Sequence, residues 1–224
     1  VPTDRELLVE GYVDENLFSL IFLVPLGRRV NDALSRAYAQ AISNRYEMNT
    51  RVTVTDDGFM LTCERKLPIR EIVGLINKGN FVDYVRKSVF NTTVFKERFR
   101  QCATRSLMVL RRYKGHEVSV VMQQLRSDRV LKALENIPNF PVITETFREI
   151  MNDMMDVPSA LNYVKDVIDG GKFKIKNYSN ESSPFSLSLI LAGVSDVVLM
   201  EDRAKLLREL QSRIVDRAYG SEYM

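Results

Sequence analysis

Residues 16–24 read NLFSLIFLV, an unbroken apolar run that stops at Pro25. A run of this length without polar alternation is typical of a strand that is buried on both faces. Directly after it, residues 30–46 repeat their apolar side chains at helical spacing. The sequence therefore predicts a buried strand that turns into an amphipathic helix, with the other elements packed around this pair.

The flanking segments show further patterns. Asp56-Asp57-Gly58 separates two β-patterned stretches and predicts a hairpin in which the glycine takes a positive φ. Lys114-Gly115 is expected to end the longest helix, and Ser127 is a candidate cap within the helical stretch that follows. Strands are expected at residues 7–13, 50–55, 59–64 and 172–178. Helices are expected at residues 69–77, 81–89, 94–113, from 119 onward, 127–135, 146–155, 156–169 and 201–219, with a short apolar element at 187–192.

These elements predict an α+β fold. Short, mostly antiparallel strands in the N-terminal part and one late strand would pack with a largely helical middle and C-terminal part. Residues 1–80 are expected to form a mixed α/β subdomain, and residues 81–224 a mainly helical subdomain that contains strand 172–178. Position 1 is Val and no targeting pattern follows it, so we expect one compact unit excised from a longer protein.

The composition excludes several classes of enzyme. The 224 residues contain one His and two Cys, which are too few for a closed zinc site and show no metal-ligand spacing. His116 lies in a Lys-Gly-His-Glu turn and is expected to be an ordinary solvated residue. Two Cys without secretory context indicate a reducing compartment, and no apolar run is long enough to span a membrane. The expected location is therefore cytoplasmic.

Charge is distributed unevenly along the chain. The net charge of +3 is too small to indicate a nucleic-acid partner for the chain as a whole. Residues 84–132, however, contain twelve Lys or Arg and three acidic residues, a net +9, which leaves −6 for the remainder. The basic part coincides with the longest predicted helix and the segment after it.

Arginines recur on one face of that helix. Arg98, Arg105 and Arg112 are seven residues apart and share a face with about 40° of drift. Such a strip is the pattern expected of a phosphate-binding surface, although a solvated helix face has the same pattern. The flanking basic residues are Lys96, Arg100 and Arg111. Tyr113 is the candidate base-stacking residue, with burial in the apolar face as the alternative.

A second candidate anion site lies at the strand-to-helix turn. Arg28 and Arg29 occupy the first turn of the predicted helix, where positive charge opposes the helix dipole. An anion bound to free N–H groups and both guanidinium groups would offset that cost. Pairing of the two arginines with acidic neighbours across the fold is the open alternative.

Other motifs are weaker. Glu145, Glu149, Asp153 and Asp156 fall at near-helical spacing, but without His or further carboxylates they are interpreted as a solvated acidic face rather than a metal site. No phosphate-binding Gly-x-x-x-x-Gly-Lys-Ser/Thr loop is present, and Gly170-Gly171-Lys172 lacks both its spacing and its hydroxyl.

Several segments together resemble a known family. Phe95-Lys-Glu-Arg-Phe-Arg, Ala103-Thr-Arg-Ser-Leu and Leu110-Arg-Arg-Tyr-Lys-Gly-His are similar to the DEAD/H-associated region of the large helicase-related (Lhr) group of superfamily 2 helicases. Val24-Pro-Leu-Gly-Arg-Arg-Val-Asn looks like that family's turn of the form PFGRRV. Asp56-Asp-Gly-Phe and Ser183-Pro-Phe agree with further motifs in the same order. The resemblance covers most of the chain.

The resemblance implies a role in a larger machine. Such regions follow two RecA-like motor domains and a winged helix and line the path of the tracking strand, while ATP and Mg²⁺ are used only by the motor. It implies that the partners are single-stranded DNA or an RNA:DNA hybrid and the helicase's own motor domains. Family members that stack a base on a Trp in this region have no counterpart here, because the chain has no Trp.

Two hypotheses follow for the chain itself. The leading hypothesis is a non-catalytic accessory domain that grips and guides a nucleic-acid strand, without a metal or cofactor of its own. The alternative is an interaction module whose basic helix docks an acidic partner or the motor domains. An enzymatic hypothesis, a metal nuclease or ATPase within the chain, is disfavoured by the missing motifs.

Overall fold

The computed structural model describes residues 2–14, 17–90, 92–134, 136–137, 139–194 and 212. It confirms an α+β fold. The chain divides into two compact units: unit 1 comprises the described residues of Val1–Val85 and Pro158–Met224, and unit 2 comprises those of Arg86–Val157. Unit 1 thus takes part of the chain on both sides of unit 2, whereas the sequence analysis placed its boundary at residue 80. The helix expected at 201–219 lies outside the described residues, apart from residue 212.

Unit 1 is built on a five-stranded sheet. Its strands are β1 (Leu7–Asp14), β2 (Leu17–Leu23), β3 (Arg51–Val54), β4 (Gly58–Cys63) and β7 (Phe173–Ser179). The strand order is β3-β4-β2-β1-β7, and all neighbours are antiparallel except β7, which runs parallel to β1. The return of β7 beside β1 explains why the late segment belongs with the N-terminal part.

Unit 1 also contains the helices α1 (Arg28–Tyr46), α2 (Ile69–Val73) and α8 (Leu187–Val194). Helix α3 (Phe81–Val89) and helix α7 (Val157–Tyr163) contain the points at which the chain passes between the units. No helix among the described residues is both long and apolar enough to cross a membrane.

The apolar run at residues 17–24 forms the centre of the sheet. Leu20, Ile21, Phe22 and Leu23 are all at most 1% exposed, so β2 is buried on both faces as predicted. On one face Phe22 stacks on Phe59 with ring centroids 4.5 Å apart. Burying side chains of this size stabilises a fold by about 1.5–3 kcal/mol each. On the other face Ile21 and Leu23 join a core cluster with residues of β4 and α8.

One buried side chain fixes the turn between β2 and α1. The amide of Asn31 is fully buried and donates hydrogen bonds to three carbonyl oxygens, those of Val24, Thr55 and Asp56, each at 3.0 Å. Through these bonds the start of α1 is tied both to the end of β2 and to the β3–β4 turn. The tight turn itself uses Gly27 at φ 85°, a conformation that favours glycine.

Gly58 is needed for a different reason from the one predicted. Its φ is not in the left-handed region, so the expected positive φ is wrong. A Cβ at this position would instead lie 2.1 Å from the carbonyl oxygen of Phe22 on the neighbouring strand. Glycine therefore permits a close backbone approach between β4 and β2.

We expect Asn31→Ala to lower the free energy of unfolding by about 3 kcal/mol. The variant removes the bonds to three carbonyl oxygens, and each lost bond costs about 0.5–1.5 kcal/mol. It also leaves the carbonyl oxygen of Thr55 without a donor, whereas those of Val24 and Asp56 still accept from the N–H groups of Leu26 and Gly27. Asn44→Ala is the control, because the Asn44 amide oxygen accepts only an exposed bond from Gln40 and should cost less than about 0.5 kcal/mol. Urea unfolding followed by circular dichroism gives both values, and equal costs would contradict the assigned role of Asn31.

Candidate nucleic-acid interface

The basic region of the sequence lies in unit 2. This unit contains α4 (Thr93–Arg105), the two-residue strands β5 (Arg112–Tyr113) and β6 (His116–Glu117), α5 (Val120–Leu134) and α6 (Pro141–Arg148), followed by a π-helical segment (Glu149–Met154). The side chain of Thr92 caps α4 by accepting a bond from the N–H of Phe95 at 3.2 Å. Phe95, Phe99 and Cys102 form the buried stripe of α4.

Helix α4 ends eight residues earlier than expected. The N–H of Met108 donates to the carbonyl oxygen of Ala103 at 2.9 Å, and the N–H of Leu107 donates to that of Thr104 at 3.1 Å. This pair of bonds is a Schellman motif, which terminates a helix through a residue in the left-handed conformation. Leu107 takes that conformation, with φ 61°. The prediction of a helix to Tyr113 was wrong because the motif uses Leu where glycine is the usual signal.

The residues predicted for the last turns of the helix form a hairpin instead. Lys114 at φ 50° and Gly115 at φ 82° make the turn between β5 and β6, so they reverse a hairpin rather than close a helix. Arg112 lies on β5, and its guanidinium group is 3.1 Å from a carboxylate oxygen of Glu117 in an exposed pair. Tyr113 is exposed at the same hairpin, with the Lys114 ammonium 5.5 Å from its ring centre.

The two arginines that remain on α4 share one buried carboxylate. Arg98 places a guanidinium nitrogen 3.3 Å from Oε2 of Glu149, and Arg105 bonds to Oε1 of the same residue. The Glu149 side chain is only 6% exposed. The hydrogen bond from Arg105 to Glu149 also raises the pKa of Arg105 above its ordinary value. Arg98 and Arg105 thus neutralise an internal charge, which the sequence analysis did not foresee.

The expected solvated acidic face is therefore wrong for Glu149. Its neighbour Glu145 does lie at the surface, where a bidentate contact with Arg148 at 2.7 and 2.8 Å lowers the pKa of the Glu145 carboxyl. Arg148 also approaches Asp153 at 3.7 Å. The helix predicted to open at Thr146 begins at Pro141 instead, and the hydroxyl of Thr146 donates to the carbonyl oxygen of Val142.

Lys96 and Arg100 lie on another side of α4. At 100° per residue they are roughly 160° around the helix from Arg98 and Arg105, so the predicted strip divides into two faces. They line a cleft between α4 and α5 with a volume of about 330 Å³, together with Thr93, Glu97, Gln124, Ser127 and Asp128. Within the described part of the chain, neither Lys96 nor Arg100 makes an ion pair. Their charges are therefore open to a ligand.

Ser127 is a buried part of this cleft. It lies in the middle of α5 and does not cap a helix, contrary to expectation. Its side-chain oxygen is buried and has no hydrogen-bond partner among the described residues. Arg111, the remaining predicted basic residue, is exposed between α4 and β5 and borders a separate groove of about 820 Å³.

At the turn in unit 1, the start of α1 already has an internal anion. The backbone N–H of Arg28 donates to Oδ1 of Asp56 at 3.0 Å, and the N–H of Gly27 donates to the carbonyl oxygen of the same residue. The free N–H expected at Arg28 is thus occupied by a carboxylate of the chain. The side chains of Arg28 and Arg29 are exposed, and Arg29 is engaged in an interaction within the chain.

The described residues contain no group of three or more His, Cys, Asp or Glu side chains placed to hold a metal ion. Cys63 and Cys102 are buried free thiols, and burial raises the pKa of Cys63 to about 11. His116 lies on the exposed hairpin. The cations described above lie on α4 and on the hairpin of β5 and β6.

Comparison with known proteins identifies the family to which the chain belongs. The profile of the family described as DEAD/H associated matches residues 1–186. The chain is 44% identical over 222 residues to the ATP-dependent helicase Lhr-Core of Saccharolobus solfataricus, a match that covers 96% of this chain and 25% of that protein. The chain belongs to the DEAD/H associated family, and it is a helicase-associated domain.

Two further relatives extend the comparison. The Lhr helicase/uracil glycosylase of Escherichia coli is 33% identical over 231 residues, which cover 98% of this chain and 15% of that protein. The structure of Mycobacterium smegmatis helicase Lhr bound to ssDNA and AMP-PNP superposes with a TM-score of 0.70 at 28% identity, over 84% of this chain and 24% of that one. The chain thus spans about a quarter of the length of the archaeal relative and of the solved helicase.

We expect Arg98→Ala together with Arg105→Ala to lower the free energy of unfolding by about 1–3 kcal/mol, because the double variant leaves a buried carboxylate unpaired, although both arginines are themselves partly exposed. Adding Glu149→Gln should recover part of this loss. Lys96→Ala with Arg100→Ala removes the same charge from the other face and should cost less than about 1 kcal/mol. Urea unfolding at pH 7 gives the free energy of unfolding of each variant. Equal losses in the two double variants would contradict the pairing of Arg98 and Arg105 with the Glu149 carboxylate.

Leu107→Gly should raise the free energy of unfolding by about 0.5–1 kcal/mol, since glycine takes the left-handed conformation without the steric cost that Leu pays. Leu107→Ala keeps that steric cost, and its free energy of unfolding should lie within about 0.5 kcal/mol of the parent value. Thermal unfolding of the three proteins provides the comparison. A loss of stability in Leu107→Gly would show that the Leu side chain packs in the unit.

Proposed function

We propose that this chain is a nucleic-acid-binding accessory domain of an ATP-dependent helicase, which grips and guides a single strand. The observation that carries the proposal is the concentration of unpaired cations in unit 2. Residues 84–132 carry a net +9, and only one pair of their arginines is neutralised by the buried Glu149. The remaining excess is the electrostatic pattern expected of a surface that binds a phosphate backbone.

Within this surface the roles differ. Lys96, Arg100 and Arg111 have no acidic partner in the described ranges, so they are the proposed phosphate contacts. Arg105 is 58% exposed and can add a weaker contact while it holds Glu149. Arg112 pairs only with the exposed Glu117, an interaction worth about 0–1 kcal/mol that a phosphate can replace. Tyr113 is the proposed stacking residue, because its ring is exposed beside these cations.

The proposal also covers the parent helicase. A relative of the family is described as an ATP-dependent helicase, and the matched structure holds ssDNA and AMP-PNP. We infer that ATP hydrolysis with Mg²⁺ takes place in motor domains of the parent protein, and that this chain contributes binding rather than chemistry. Single-stranded DNA is the proposed ligand, with an RNA:DNA hybrid as a second substrate of the parent helicase.

The proposal predicts weaker single-strand binding when the unpaired cations are removed. Lys96→Ala, Arg100→Ala and Arg111→Ala together should raise the Kd for a fluorescent single-stranded DNA by about tenfold or more at low salt. They should also reduce the slope of log Kd against log salt by about 2, because each contact with single-stranded DNA contributes roughly 0.7 to that slope. Fluorescence anisotropy over a salt series provides both quantities.

A matched control removes three exposed cations of unit 1. Arg70→Ala, Lys78→Ala and Lys165→Ala change the net charge by the same amount but lie outside the proposed surface. This variant should keep the salt slope within about 0.5 of the parent value. If both triple variants lost affinity for single-stranded DNA equally, net charge alone would explain the effect. If the parent chain did not bind single-stranded DNA at low salt, the proposal would be overturned.

A further inference from the structure

The cleft between α4 and α5 is lined by polar side chains alone. Its volume of about 330 Å³ is the size of a site for one small ligand. The lining residues of α4 fall at i, i+3, i+4 and i+7, and those of α5 fall at i, i+3 and i+4, so each set shares one face of its helix. These residues are Thr93, Lys96, Glu97 and Arg100 on α4, and Gln124, Ser127 and Asp128 on α5. Two polar faces that meet across a cleft indicate a polar ligand.

Ser127 supplies an unused hydrogen-bonding group in the wall of this cleft. The residue is 2% exposed, and its Oγ has no hydrogen-bond partner among the described residues. Within the described part of unit 2 it is the only buried side-chain oxygen or nitrogen of which this is true. Buried polar groups are almost always hydrogen-bonded, because an unmade bond lowers stability. A hydroxyl both donates and accepts, so a polar ligand atom in the cleft would satisfy it.

The charged side chains of the cleft require a ligand that offers both acceptors and donors. Lys96 and Arg100 make no ion pair within the described ranges, and the same is true of the carboxylates of Glu97 and Asp128. A bare phosphate dianion would bind the two cations, but it has no donor for the carboxylates and is repelled by them. The sugar-phosphate backbone of DNA also consists of acceptors. The lining therefore matches a ligand with an anionic group at one end and hydroxyl donors at the other.

Ribose phosphate combines these groups. Its 2′-hydroxyl donates as well as accepts, and it is the group by which proteins distinguish RNA from DNA. In dinucleotide-binding folds an Asp or Glu carboxylate binds this hydroxyl. We propose that the cleft between α4 and α5 binds a ribose phosphate, with the phosphate on Lys96 and Arg100 and the 2′-hydroxyl at Ser127 and Asp128. A free ribonucleotide and a ribonucleotide within an RNA strand both present this chemistry.

The ribose-phosphate site differs from the proposed grip on single-stranded DNA. It shares Lys96 and Arg100 with that surface, whereas Ser127 carries no charge and Asp128 repels phosphate, so neither of these two supports electrostatic binding of a DNA backbone. A preference for ribose can therefore be lost while binding to single-stranded DNA remains, and the two proposals fail separately.

A matched pair of mononucleotides tests the proposal. The isotope-labelled 224-residue chain would be titrated in an NMR experiment with uridine monophosphate and with deoxyuridine monophosphate, which differ only in the 2′-hydroxyl. We expect the amide signals of Lys96, Ser127 and Asp128 to shift to saturation. The Kd should be about tenfold higher for the deoxy form, because a hydrogen bond to a charged group is a strong one. Equal Kd values, or shifts confined to residues outside the cleft, would overturn the proposal.

Ser127→Ala separates a ligand role from a structural one. Alanine removes an unsatisfied buried hydroxyl and has the higher helix propensity, so the midpoint of urea unfolding should be equal to that of the parent or higher. The Kd for uridine monophosphate should nevertheless rise about fivefold, the effect of one lost hydrogen bond. An unchanged Kd would show that the hydroxyl does not contact the ligand, and a lower midpoint would give it a structural role. Either result contradicts the proposal.

Asp128→Asn tests the contact with the 2′-hydroxyl. The neutral amide accepts a weaker hydrogen bond than the carboxylate, so the preference for uridine monophosphate over the deoxy form should fall. Asp83→Asn is the control, because it removes the same charge from α3 in unit 1 and should keep the preference. A preference that survives Asp128→Asn, or that is lost equally in both variants, would refute the assigned contact.

Oligonucleotides distinguish the two sources of ribose phosphate. If an RNA strand is the ligand, a short oligouridine should shift the Ser127 amide signal as the mononucleotide does, at a lower Kd than oligodeoxyuridine of the same length. If the free ribonucleotide is the ligand, neither oligomer should shift that signal. Equal shifts at equal Kd values with both oligomers would mean that the cleft binds a phosphate backbone irrespective of its sugar. That result would overturn the ribose-phosphate site and leave the proposed function intact.

Discussion

The buried carboxylate of Glu149 determines how unit 2 can use its positive charge. A carboxylate that is 6% exposed needs nearby cations, and the two arginines that supply them are one heptad apart on α4. These side chains are consequently held toward Glu149, and the cations left for a ligand are those on other sides of the unit. The charge count of the sequence is correct, but it overstates the number of arginines that are free to bind phosphate.

Unit 1 depends on a comparable internal interaction at the start of α1. The N–H of Arg28 is capped by Asp56, and Asn31 bridges the end of β2 and the β3–β4 turn. Both interactions use residues of two of the motifs that carried the family resemblance. In this structure those motifs, at residues 24–31 and 56–59, fix a turn. These contacts give both motifs a role in folding, and the anion site predicted at the side chains of Arg28 and Arg29 stays a prediction.

Much of the fold could be predicted from the sequence, because hydrophobic periodicity records burial directly. The strand at β2, helix α1 and the late strand β7 all follow from it. Two features could not be predicted, since they depend on contacts between distant residues. Glu149 lies 44 residues from Arg105, and nothing in its neighbourhood distinguishes it from the exposed Glu145. The end of α4 was missed because Leu107 takes a conformation for which glycine is the usual sequence signal.

The same termination of α4 separates the two kinds of surface in unit 2. If the helix continued to Tyr113, Arg112 would share the face of Arg98 and Arg105, and Leu107 and Leu110 would also be helical residues. The Schellman motif instead ends the helix, and residues 107–113 leave the helix axis. Arg111 and the hairpin then border a groove whose other wall is the start of α5. A strained Leu at the turn is thus compatible with folding and places an aliphatic side chain at the edge of that groove. The unpaired cations of α4 and the exposed apolar side chains at the start of α5 thus lie in one unit of about seventy residues.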